Sequence, residues 1–158
     1  MVPHGIPSLA QIFVAGALGL IAVAASPAPP ALAQTNVIQS QDSNIDGVVA
    51  EITQAQRKEG VLTIRLRVRN TSDSDKLIRW PHSTGDFDKY YLVAGNRKYL
   101  VLRDSKGELI AAVPVDGTLR KGGGFTWWAK FPAPPASEKK FSFFTSITPP
   151  FEDVPISD

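Results

Sequence analysis

The clearest periodicity in the chain lies in Val61–Asn70. Leu62, Ile64, Leu66 and Val68 fall on one face, and Thr63, Arg65, Arg67 and Arg69 on the other. Alternation of this kind marks a strand with one side against a core. Val48, Ala50 and Ile52 repeat it more weakly upstream. The polar connection 56–60 ends in Gly60 and suits a hairpin turn. Further strands are expected at 77–80, 90–93, 98–103, 109–115, 125–131 and 140–147. Turn chemistry separates them at 70–76, Gly95-Asn96, 104–107, Asp116-Gly117 and 121–124. Pro132, Pro134 and Pro135 stop the 125–131 strand, because proline has no N–H for a ladder. In that strand Phe125, Trp127, Ala129 and Phe131 share a face, opposite Thr126, Trp128 and Lys130. Phe141 and Phe143 alternate with Ser142, and Phe144 faces the other way.

No helical stripe of useful length follows Gly47. Seven or eight short strands at this spacing predict an all-β domain, an antiparallel sandwich of immunoglobulin-like topology, with a small closed barrel as the second arrangement. Residues 47–158 form this β-sandwich domain, and the polar segment 34–46 is a flexible lead-in.

The start of the chain is different. Residues 1–33 contain no Asp, Glu, Lys or Arg, and residues 12–25 are an unbroken run of apolar and small side chains. A bilayer span needs roughly 20 apolar residues, so this run is short for one. It suits the core of a secretory signal, followed by a proline-rich breaker and Ala31-Leu32-Ala33. The reading is an exported protein, periplasmic or secreted, cleaved after Ala33 and without a second membrane segment. The usual Lys or Arg before the apolar run is missing, which a misassigned start or retention as an uncleaved anchor would explain.

Composition narrows the chemistry. The 158 residues include no cysteine, so there is no disulfide framework, thiolate metal site or thiol nucleophile. Lys plus Arg is 17 and Asp plus Glu is 15, a formal charge of +2. So slight an excess, on an exported chain, argues against a nucleic-acid partner. Met1 is the only methionine, which excludes a methionine-rich copper carrier.

Three stretches carry a resemblance: YYLVAGNRKYLVLRD (90–104), WWAKFPAPP (127–135) and PPFEDVPI (149–156). Over residues 47–156 the chain resembles an exported bacterial immunoglobulin-like domain of uncharacterised function. That domain is found alone or preceding outer-membrane-protein-A-like peptidoglycan-binding domains. It is similar in outline to the small secreted immunoglobulin-like antigens of mycobacteria. The resemblance implies a β-sandwich outside the cytoplasm with no established catalytic activity and no catalytic residues to carry over.

Candidate sites are few. Arg65, Arg67 and Arg69 form a row on the solvent side of one strand, within a stretch 57–79 holding seven basic and three acidic residues. Such a row either attracts an anionic wall or membrane component, or an acidic envelope or extracellular protein, or is a solvated face paired across strands with Glu or Asp. Trp127 and Trp128 are adjacent, so one of them faces outward, and an outward Trp128 either anchors an interface or is covered by loop packing. Arg65, Arg67, Arg69 and Trp128 are therefore the expected partner-binding residues. The rival reading is a hydrolase or metal-dependent enzyme centred on His82, Asp86 and Asp88. One histidine and two carboxylates lack the ligand number and the triad order that such sites use. Asn70 to Asp75 (NTSDSD) faintly matches a calcium loop but lacks its central glycine and distal glutamate. No catalytic residue, metal or cofactor is assigned. The expected role is a non-enzymatic binding or accessory module, with a purely structural spacer as the other alternative.

Overall fold

The computed structural model describes residues 36–81 and 84–158, apart from the side chains of residues 84 and 86. The expected signal segment and its cleavage point lie outside the described residues. The chain is nearly all β. Its strands are β1 Gln39–Asp42, β2 Val48–Lys58, β3 Val61–Asn70, β4 Lys76–Trp80, β5 Tyr91–Ala94, β6 Arg97–Leu100, β7 Val115–Leu119, β8 Gly124–Pro132, β9 Lys140–Phe144 and β10 Phe151–Pro155. A short 3-10 helix, Thr84–Lys89, joins β4 to β5. One four-stranded sheet runs β1-β2-β3-β8, a second β10-β9-β5-β6, and β4 pairs with β7. All of these strand pairs are antiparallel.

The alternation of β3 is realised in full: Leu62, Ile64, Leu66 and Val68 are buried. In β2 the apolar positions change phase, from Val48, Ala50 and Ile52 to Ala55. A bulge between Ile52 and Gln54 absorbs the extra residue. It keeps both sets inward and places Arg57 on the core side of the strand. The two four-stranded sheets meet through large rings. Trp127 of β8 lies 5.4 Å from Tyr90, 6.2 Å from Phe87 and 6.3 Å from Phe143 of β9, and Phe143 continues to Phe131 and Phe151. These rings form the centre of one apolar core.

Several elements differ from expectation. The polar lead-in contains β1, whose Gln39 to Asp42 pair with Ile52 to Val49 of β2. Asp116-Gly117, expected as a turn, lies inside β7 opposite Arg79 and Ile78. Gly117 takes φ 148° there, which few other residues tolerate. The 109–115 strand is broken. Leu109 and Ala111 make only single bridges, and Pro114, which lacks an N–H, precedes β7. Residues 140–147 stop pairing at Phe144, where Thr145 accepts the N–H of Thr148 in a turn.

The tail is a strand. β10 pairs with β9, and Ser157 then bridges Gln56 of β2 in parallel. Beneath it lies Arg57, whose side chain is 10% exposed. Its guanidinium donates to the carbonyls of Pro134, Pro135 and Glu138 and to Asp158 Oδ1 at 2.6 Å.

Candidate partner-binding face

The outer side of the first sheet is set by register. In β3, Arg65 lies opposite Trp128 and Gln54, Arg67 opposite Thr126 and Glu51, and Arg69 opposite Gly124. Arg65, Arg67, Arg69 and Trp128 therefore share one face.

Their environments are unequal. Glu51 is only 5% exposed although it faces outward, because two arginines cover it. Arg67 Nε donates to Glu51 Oε2 at 2.7 Å, while Arg69 donates through Nη2 to Oε1 at 2.6 Å and through Nε to Oε2 at 3.1 Å. The two-point Arg69 contact is the planar fork that suits a carboxylate. Hydrogen bonding from Arg69, then from Arg67, holds the Glu51 carboxyl below its ordinary range against the opposing effect of burial. The same bond from the other side raises the already high Arg69 pKa. Gly124 makes room: a Cβ there would lie 2.7 Å from the Val68 carbonyl oxygen and 3.4 Å from Arg69 Cγ. A shallow cleft of about 280 Å³ lies between Arg67, Arg69, Thr126 and the 122–124 glycines.

Arg65 meets no carboxylate among the described residues; its Nε donates to Gln54 Oε1 at 3.1 Å. Trp128 beside it is half-buried, with Lys130 further along the strand. Trp128 is partly flanked by Ala112, whose N–H donates to the Trp128 carbonyl. Arg65, Arg67 and Arg69 against Glu51 leave the β3 row and its counter-charge a formal +2. On this face one guanidinium, bound to an amide and to no carboxylate among the described residues, lies opposite an indole.

The rest of the basic stretch 57–79 is scattered. Arg57 is under the tail, Lys76 contacts Asp46 at 3.5 Å, and Arg79 contacts Asp116 at 3.3 Å. The expected single basic patch is thus reduced to the β3 row. Glu51 was missed as its counter-charge.

His82 and the side chain of Asp86 lie outside the described residues, and Asp88 is exposed in the 3-10 helix. Phe87 in the same helix is buried against Tyr90 and Trp127. The NTSDSD oxygens are committed within the fold. Asn70, 2% exposed, donates to the carbonyls of Ser74 and Leu119 and accepts from Ser72. Asp73 and Asp75 receive the side chain and backbone N–H of Lys121. Among the described residues no helix is long and apolar enough to cross a membrane. No known protein family, curated protein or solved structure matches the chain.

Proposed function

We propose that this chain is an exported, non-enzymatic β-sandwich of immunoglobulin-like topology that serves as a binding module in the envelope or outside the cell. Its partner is an acidic protein surface or an anionic wall or membrane component. The observation that carries this reading is the inequality within the arginine row. Arg67 and Arg69 are bound to Glu51, whereas Arg65 stands without a carboxylate beside a half-buried Trp128. Arginine and tryptophan are the side chains that most often dominate binding energy at interfaces.

The test is capture from envelope extract by wild type and by Arg65→Glu/Trp128→Ala, with folding checked by circular dichroism. A component held by wild type and released by the variant supports the reading, and identical capture by both overturns it. Export is tested by fractionation and by mass spectrometry of the mature N-terminus, expected at Gln34. Retention in the cytoplasm would sink that part.

A further inference from the structure

We infer that the free edge of β6 is a docking site for an extended acidic peptide of another protein, which adds to the second sheet as a further strand. β6 follows β5 through the two-residue turn Gly95-Asn96, with Ala94 opposite Arg97 and Leu92 opposite Tyr99. The pair flanking such a turn exchanges both ladder bonds, and the bonded pairs alternate along the ladder. Arg97 and Tyr99 therefore direct their backbone groups at β5. The N–H and C=O of Lys98 and Leu100 point away from it, and no described residue takes them up.

The other outer strands of the two four-stranded sheets are guarded. At β8, Leu102 and Ala112 donate to the carbonyls of Lys130 and Trp128, and Ile110 accepts from Lys130. β10 carries a bulge and Pro155, and follows Pro150. β1 is short and polar, and Gln41 ties it to the Pro150 carbonyl. Short strands, charged side chains, bulges, prolines and covering segments are the ordinary ways of blocking edge pairing. β6 carries no bulge or proline; its guards are its length of 4 residues and the charges of Arg97 and Lys98, which repel a basic edge and not an acidic strand.

Beside β6 lies a cleft of about 500 Å³, lined chiefly by Phe87, Tyr99, Val101, Leu102, Leu109 and Pro132. It arises because the chain leaves the second sheet after Leu100 and joins the edge of β8 at Leu102. Leu100, 48% exposed, marks its open side. A peptide strand gains affinity from main-chain bonds and specificity from pockets for alternate side chains, and this edge offers both. The charge of the partner follows from the rim. Arg97, Lys98 and Arg103 meet no carboxylate among the described residues; Lys98 Nζ lies 3.8 Å over the Tyr91 ring, and Arg103 donates to the Gly107 carbonyl. Against these cations the cleft sets only Asp88. An incoming strand that alternates apolar and acidic side chains fits that arrangement.

The probe is a capped peptide of alternating Glu and Val, titrated into isotope-labelled full-length protein and read by amide NMR and hydrogen exchange. The amides of Lys98 and Leu100 are expected to shift and to gain protection. Leu100→Pro, which removes a donor that bonds nothing internally, should weaken binding about tenfold. Should that variant fold poorly, Lys98→Glu/Arg103→Glu serves instead and should turn the preference to a Lys-Val peptide. Arg65→Glu/Trp128→Ala should bind the probe as wild type does, which separates this edge from the outer face of the first sheet. Unshifted Lys98 and Leu100 amides at millimolar peptide overturn the inference. So does equal binding of the Glu and Lys peptides, or protection that rises with protein concentration alone, which would assign the edge to a second copy.

Discussion

Two hairpins in this molecule each turn through two residues and end in different situations. The β2–β3 hairpin turns through Glu59 and Gly60 at φ 50° and 77°, and β5–β6 turns through Gly95 at φ 55° followed by Asn96. The first runs for 11 and 10 residues and is enclosed by β1 on one side and β8 on the other. The second has strands of 4 residues, and its outer strand ends the sheet. Turn chemistry is local, and both turns are two residues long. What differs is how many neighbours each ladder has, and that decides which hairpin supports the fold and which offers an edge.

The largest effect should come from breaking the enclosed hairpin at its centre. Leu66 is fully buried in β3, so Leu66→Ala should cost about 2–5 kcal/mol in urea unfolding. Because β3 lies between β2 and β8, hydrogen-exchange protection should fall in both sheets together. Loss confined to the first sheet would show that the two sheets unfold separately and that the long hairpin does not support the short one.

Next in size is the charge cluster of the long hairpin, which has no counterpart in the short one. Glu51→Gln removes the carboxylate that orders Arg67 and Arg69, and bonds of this charge-assisted kind are each worth about 1.5–3 kcal/mol at most. The arginines are partly solvated, so a loss near about 1–2 kcal/mol is expected. Its pH dependence has a definite sign. The folded-state pKa of Glu51 lies below its unfolded value, so its stabilisation is fully present above the unfolded carboxyl pKa. It is lost as pH falls through the folded value. Wild type and Glu51→Gln should therefore differ in thermal midpoint at neutral pH and converge in acid. A difference that stays constant down to strongly acid pH would show that the cluster contributes packing rather than charge.

How much of this was legible in the sequence follows from the same residues. The alternation of β3 and β8 was plain, because one residue type dictates each position and no phase change interrupts it. Glu51 was hidden. Counting back from the Glu59-Gly60 turn pairs Glu51 with Val68 and points it into the core, whereas the bulge at Thr53 moves it opposite Arg67 and turns it outward. The only trace was the phase slip between Ile52 and Ala55. The β1 strand was equally hidden, since Gln39, Ser40, Gln41 and Asp42 have little strand propensity and pair because β2 presents an open edge. The cleft beside β6 depends on the chain changing sheets between Leu100 and Leu102, a tertiary event that local patterning does not encode.

The smallest effect sharpens the comparison at the turns themselves. Glu59 occupies a left-handed conformation that costs a side-chain-bearing residue about 1 kcal/mol, and Asn is the residue that best tolerates it before Gly in a hairpin of this type. Glu59→Asn should raise stability by about 0.5–1 kcal/mol without altering the fold. At Gly95 the backbone angle is nearly the same but the surroundings are not. An added Cβ would lie 2.7 Å from Glu138 Oε1, so Gly95→Ala must both strain the backbone and push that side chain aside. It should destabilise by about 1–2 kcal/mol. Opposite signs at two turns whose first residues share nearly the same φ, read in the same urea titration, would establish that residue identity limits the enclosed turn while glycine is already required at the edge hairpin. Equal signs would mean that turn conformation contributes little to either hairpin and that neighbouring strands alone set their stability.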